Sequence, residues 1–261
     1  MRVLRCASKL LFLLAGLMAC KDIPRDNPLD PKNPESVREQ TVLAEAFVNT
    51  NSVLADSVLY NQNMLTALYR LQSKYGSRMV LSVHHRNLSG YQDSLAIFES
   101  EDLYQRYIQG TNDAVKGVPD VFINGLAARI QGASTSENAE YRVDTALQSF
   151  LIENGFFTIE PTITLSNGVL RCNTTFARLG SSVAKDILLK MFVLQDMDTQ
   201  WARRAVRGIS RSNLIQNIQP GERKNIQFDA VSGLSNQPIR VIIAVVSEDE
   251  YTVYQVKEVR L

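Results

Sequence analysis

The hydrophobic pattern changes period once along the chain, and that change constrains the fold more than any other feature. Up to Phe156, apolar residues recur at helical spacing between short apolar runs. Leu54, Val58, Leu65, Leu68 and Tyr75 predict a helix over 52–75, with Asn51 or Ser52 as its N-cap and Gly76 as its stop. Leu95, Phe98, Leu103 and Tyr107 predict one or two helices over 93–108 with a break near Glu101, and Tyr141, Val143, Leu147 and Leu151 predict another over 137–153. Strands are expected over 41–50, 79–84, 118–124 and 127–131, the last two joined through Asn124-Gly125, a strong hairpin signal. Beyond Phe156 come FTIEPTITL, VLRCNTTFARL, KDILLKMFVLQD, KNIQFDAV, IRVIIAVVS and YTVYQVKEVRL, strand-like runs separated by turns. Residues 41–156 therefore read as an α/β domain and residues 157–261 as an antiparallel β-sandwich.

The first twenty residues, MRVLRCASKLLFLLAGLMAC, set Arg2, Arg5 and Lys9 before an apolar run from Leu10 to Leu17, the layout of a signal peptide. That run is shorter than the roughly 20 apolar residues needed to span a bilayer. It closes in Leu17-Met18-Ala19-Cys20, which resembles the lipobox of bacterial lipoproteins, where cleavage before the cysteine leaves a diacylglycerol on its sulfur. Residues 1–19 are then a signal peptide and Cys20 the lipid anchor, held in a membrane at about 0.8 kcal/mol per buried methylene. An uncleaved helix or a plain secretory peptide is the alternative. Residues 20–40, with Pro24, Pro28, Pro31 and Pro34 and few apolar side chains, read as an extended tether.

Charge excludes one class of partner. The chain has 28 Lys and Arg against 27 Asp and Glu; removing Arg2, Arg5 and Lys9 with the signal peptide leaves 25 against 27, a formal charge of −2. No basic arm or Arg-rich stripe appears, so nucleic acid, which needs clustered cations to release counterions, is not an expected partner. Cysteines at 6, 20 and 172 match no zinc spacing. His84 and His85, adjacent on a strand, point to opposite faces and cannot readily chelate one ion. Neither a metal nor a cofactor is expected. Cys172 fits the sandwich core as a small hydrophobe, Glu248-Asp249-Glu250 fits a charged hairpin turn, and Trp201 fits a loop that covers the sandwich end or anchors a partner.

Strand, helix, strand, helix, a Val-Pro strand in a hairpin and a last helix is the order of a thioredoxin fold. Gly117-Val118-Pro119-Asp120, followed by an apolar strand and Asn124-Gly125, resembles the segment of that fold whose proline is cis and faces the active site. With an immunoglobulin-like sandwich added, residues 41–261 resemble the twenty-eight-kilodalton outer membrane protein family of Gram-negative bacteria. The supporting texts are the strand end Glu45 to Phe47, Arg204-Ala205-Val206-Arg207 after a strand ending in Gln195-Asp196, Pro220-Gly221-Glu222, and the strand pair from Arg240 to Leu261. The resemblance implies an outer-membrane location in the cell envelope, and Lys21 rather than an acidic residue after Cys20 agrees with it.

The departure is at the active site. Redox members of that family carry Trp-Cys-x-x-Cys between the first strand and first helix; here the text is Asn51-Ser52-Val53-Leu54-Ala55. Thiol chemistry needs a cysteine at the helix N-terminus, where the dipole and free amides stabilise the thiolate. Ser52 has no such thiol, Ala55 removes the resolving one, and dithiol exchange is excluded. An enzyme using Ser52 with a histidine lacks an evident acidic orienter. Two readings remain. Asn51, Ser52, Val118 and Pro119 line a cleft that binds a peptide or an envelope protein, or the chain is a scaffold subunit docking through its sandwich.

Overall fold

The computed structural model describes residues 33, 36–51, 55–111, 113, 115–197, 200–234 and 237–261. The expected signal peptide, Cys20, most of the expected tether and Ser52 lie outside the described residues. The order is β1 (Arg38–Glu39), β2 (Val42–Val48), α1 (Ala55–Tyr75), β3 (Met79–His85), α2 (Phe98–Gly110), β4 (Asp120–Ile123), β5 (Ala128–Gln131) and α3 (Ser136–Leu151). There follow β6 (Asn154–Gly155), β7 (Phe157–Ser166), β8 (Val169–Arg178), β9 (Ala184–Gln195), β10 (Ala205–Arg211), β11 (Ile215–Ile218), β12 (Arg223–Gln227), β13 (Ile239–Ser247) and β14 (Val253–Arg260). The described molecule is mostly β-sheet, with three α-helices and several sheets. The end of the expected tether is packed: Ser36 and Gln40 are buried, and β1 pairs with β6.

Local chemistry accounts for the element ends. Helix α2 begins at Phe98 and runs unbroken through Glu101, which with Glu99 lies in its first turn, where the helix dipole favours anions. The expected start at 93 fails because the Asp93 side chain accepts the Leu95 amide at 3.0 Å and turns the chain there. Asn124 and Gly125 have φ of 47° and 74°, the left-handed pair that a two-residue type I′ hairpin needs. Helix α3 is capped by Thr135, which accepts the Asn138 amide at 3.1 Å.

One sheet runs in the order β14-β13-β9-β10-β3-β2-β4-β5, with β11 beside β9; β12-β8-β7 form another. Strands β2 and β3 are parallel, and β4 and β5 run antiparallel. The join between the two halves of the large sheet is parallel: Ala205 of β10 lies opposite Val83 of β3, whose amide donates to the Arg204 carbonyl at 3.1 Å. Hydrogen bonding therefore continues across the change of pattern at residue 156.

Alternation assigns three cores. Val42, Ala44, Ala46 and Val48 of β2 pack with α1 and α3, while Leu43 and Phe47 pack under α2. Phe192 and Leu194 of β9 join that α2 core, and Leu189, Met191 and Val193 point the other way, toward β7 and β8. With both faces covered, β9 and β13 read as nearly continuous apolar runs. Cys172 sits in this last core as expected. Trp201 instead packs against the α1–α3 core, because the 3-10 turn Gln200–Ala202 leads into the β10–β3 join.

An ionic chain crosses the α2 core. Lys190 and Glu45 are fully buried. Lys190 Nζ lies 3.7 Å from Glu45 Oε1 and 3.4 Å from Glu250 Oε2, and donates to the Tyr107 hydroxyl at 3.2 Å. That hydroxyl donates to Glu45 at 2.6 Å. Burial raises the Glu45 carboxyl's pKa, against the pull of Lys190 and Tyr107. Glu250, in the expected charged hairpin turn, is only 3% exposed, because Lys190, Arg106 and Arg211 surround its carboxylate.

Candidate functional site

Strands β2 and β3 end together, Val48 opposite His85, and β4 starts beside them, with Phe47 opposite Asp120. Carrying that antiparallel register onward sets Pro119 next to Val48 and brings Val118 to the edge where residues 49–51 leave the sheet. The Val118–Pro119 peptide bond is cis. Pro119 is buried, and its carbonyl accepts the Gly132 amide at 2.9 Å. Val118 is half-buried, and neither its amide nor its carbonyl has a hydrogen-bond partner among the described residues.

This segment is held from below. The Tyr104 hydroxyl accepts the Gly117 amide at 3.1 Å and donates to the fully buried Asp120 at 2.9 Å. Arg129 closes on the same carboxylate at 2.7 Å and donates to the carbonyls of Asp113 and Val115 at 2.7 and 2.5 Å. Burial raises the Tyr104 pKa, and Asp120 adds to the rise. A charged pair with several donors thus pins the Asp113 and Val115 carbonyls and the Gly117 amide beside the Val118 backbone. Beside it is a depression of about 380 Å³ lined by Tyr60, Gly132, Ser134, Asn138 and Arg142.

The other wall is a polar clamp. Asn49 donates to the carbonyls of Arg86 and Tyr91 at 2.7 and 3.0 Å, and Asn51 donates to the Gln92 carbonyl at 2.7 Å. Asp93 Oδ2 accepts the Thr50 amide at 2.7 Å and the Thr50 hydroxyl at 2.9 Å, and lies 3.0 Å from His85 Nδ1. Burial works against the Asp93 charge, but His85 and the Thr50 and Leu95 amides outweigh it and hold the pKa down to about 2. His84, on the opposite face, stacks on Phe47 and lies 3.1 Å from both the Ser82 and Ser100 hydroxyls; burial and Lys190 hold its pKa well below the usual range.

The structure therefore corrects one expectation. An acidic orienter does exist for His85, and it is Asp93, eight residues on in the chain across a loop. The Thr50 hydroxyl donates to Asp93 and lies 3.4 Å from His85 Nδ1, while the buried His85 Nε2 has no hydrogen-bond partner among the described residues. Of the expected site residues, Asn51, Val118 and Pro119 come to one edge of the sheet; Ser52 and Cys20 lie outside the described residues. Asp93, Tyr104, Asp120 and Arg129 escape sequence reading because their partners come from other elements. The polar run Asn49-Thr50-Asn51 at the end of an apolar strand is the sequence signal that marks the clamp. Among the described residues no group of three or more His, Cys, Asp or Glu is arranged to hold a metal ion.

No family model and no curated protein matches the chain. Solved structures do. HBP35 of Porphyromonas gingivalis aligns with a TM-score of 0.61 and 12% identity over 85% of this chain and 76% of that one. Protein AGR_C_4864 from Agrobacterium tumefaciens aligns with a TM-score of 0.52 and 13% identity over 85% of this chain and 95% of that one. At such identity the likeness is one of fold.

Proposed function

We propose that the chain is a cell-envelope lipoprotein of the twenty-eight-kilodalton outer membrane protein kind, whose thioredoxin-like domain lacks the redox cysteines and binds an extended segment of a peptide or protein partner. The strand order β3-β2-β4-β5, with α1 and α3 packed together on one face and α2 on the other, supports the thioredoxin-like reading of residues 41–156. The face-to-face packing of the β12-β8-β7 sheet on β9 and β13 supports the sandwich reading of residues 157–261. Lipidation at Cys20 would tie the protein to the membrane.

The observation that carries the binding reading is the unpaired Val118 backbone, pinned beneath by Tyr104, Asp120 and Arg129. An extended segment laid beside it gains main-chain hydrogen bonds without disturbing the fold. Replacing Val118 with aspartate puts a charge where the partner would bury apolar surface. Affinity capture from envelope extracts with V118D is expected to lose the retained partner while the melting temperature stays within about 2 °C, a surface-substitution effect. The variant Ile152→Asp, at a residue 85% exposed elsewhere, should capture normally. Capture unchanged in V118D would sink the cleft reading and favour docking through the β-rich half.

A further inference from the structure

Strand β14 forms one outer edge of the large sheet. Successive residues of an antiparallel strand turn their amide and carbonyl alternately to the two sides. The Leu261 amide donates to the Ile239 carbonyl at 3.0 Å, so Lys257 and Val259 also bond toward β13 while Glu258 and Arg260 face away from it. Among the described residues, the main-chain amides and carbonyls of Glu258 and Arg260 have no hydrogen-bond partner. Exposed edges of this kind are templates for another strand.

This edge borders a groove. Three depressions of about 530, 460 and 470 Å³ follow one another, the first two sharing Thr41, Ser77, Val256 and Lys257, the last two sharing Gln72 and Arg204. Its opposite wall is the end of α1 and the turn after it. Arg204 and Arg240 on its floor are neutralised by Glu258 and Asp196, at 2.7 and 2.9 Å. Arg38, Arg203, Lys257 and Arg260 have no carboxylate partner among the described residues, against one unpaired acid, Glu160. A chain whose processed form carries −2 has concentrated unpaired cations along one open strand edge.

We infer that the β14 edge is a second binding site, which takes an extended acidic segment of a partner as an added strand, its carboxylates paired with Lys257, Arg260, Arg38 and Arg203. Main-chain bonds to Glu258 and Arg260 supply the register, and alternate side chains reach the two walls. A second copy of this chain is disfavoured as the occupant, since it would bring the same cations against each other.

The test uses the full chain in non-ionic detergent and three labelled heptapeptides that alternate valine with glutamate, glutamine or lysine, followed by fluorescence anisotropy. The glutamate peptide should bind about tenfold more tightly than the glutamine one, the lysine peptide not measurably, and added salt should weaken the glutamate complex. Lys257→Gln and Arg260→Gln should each cost about threefold, in the range of exposed ion pairs. Arg260→Pro should cost about tenfold or more: it removes a donor that faces the groove and breaks no bond to β13. Ile152→Asp, at an exposed residue away from the groove, should leave binding unchanged. Equal binding of the glutamate and glutamine peptides, or no loss in the two glutamine variants, overturns the proposal even if the proline variant does not fold. A dimer in sedimentation that Arg260→Gln strengthens and the glutamate peptide fails to displace assigns the edge to a second copy instead.

Discussion

Asp93 is a buried carboxylate that does its work through charge. Its pKa of about 2 lies below the value of 3.8 expected for the unfolded chain. A lowered carboxyl pKa stabilises the fold fully above the unfolded value and loses that contribution as pH falls through the folded one. The clamp should therefore contribute about 2 kcal/mol at neutral pH, decaying between about pH 4 and pH 2. Asp93→Asn is expected to lower stability by about that amount at pH 7 and to flatten this part of the profile, read by urea unfolding at several pH values. An equal slope in wild type and variant would remove Asp93 from this role. The same residue shows where sequence reading stops. The segment carrying it reads as helix by apolar spacing, and nothing local reveals that His85 and Thr50 converge on it.

At the scale of elements, the Asn124-Gly125 turn is legible because two left-handed residues are needed in succession. Its second role is not. The Leu126 amide donates to the Tyr251 carbonyl at 2.7 Å, and Gly125 pairs across to Thr252 in the β13–β14 turn. A Cβ on Gly125 would overlap the Tyr251 carbonyl, on top of the cost of φ 74°. Gly125→Ala is expected to cost about 2–4 kcal/mol, and Gly233→Ala, with a similar φ and nothing near its Cβ, about 1 kcal/mol. Chemical denaturation of the two variants checks the difference; equal losses would mean that only backbone strain matters at Gly125. Long apolar elements such as β9 and α3 were readable from periodicity. Strand β10 was not, because its inward positions include Gly208 and Ser210, which carry no apolar signal.

Across the whole molecule, the chain's change of hydrophobic period coincides with no break in hydrogen bonding. The β10–β3 join, the α2 core shared by Phe47, Tyr107, Phe192 and Ile242, and the Glu45–Lys190 chain all cross it. Unfolding should accordingly be a single transition, with Trp201 fluorescence and far-ultraviolet circular dichroism coincident in urea. Two separated transitions would show that residues on either side of 156 hold their structure independently. The same continuity fixes how the protein meets a pull from upstream of Ser36. Load would enter through β1, which is held to β6 by two pairs. It then reaches β2, paired along its whole length with β3 and over four residues with β4. A pull along β2 would strain those pairs together, so the chain is expected to yield first at its rim, where β1 is held by only two.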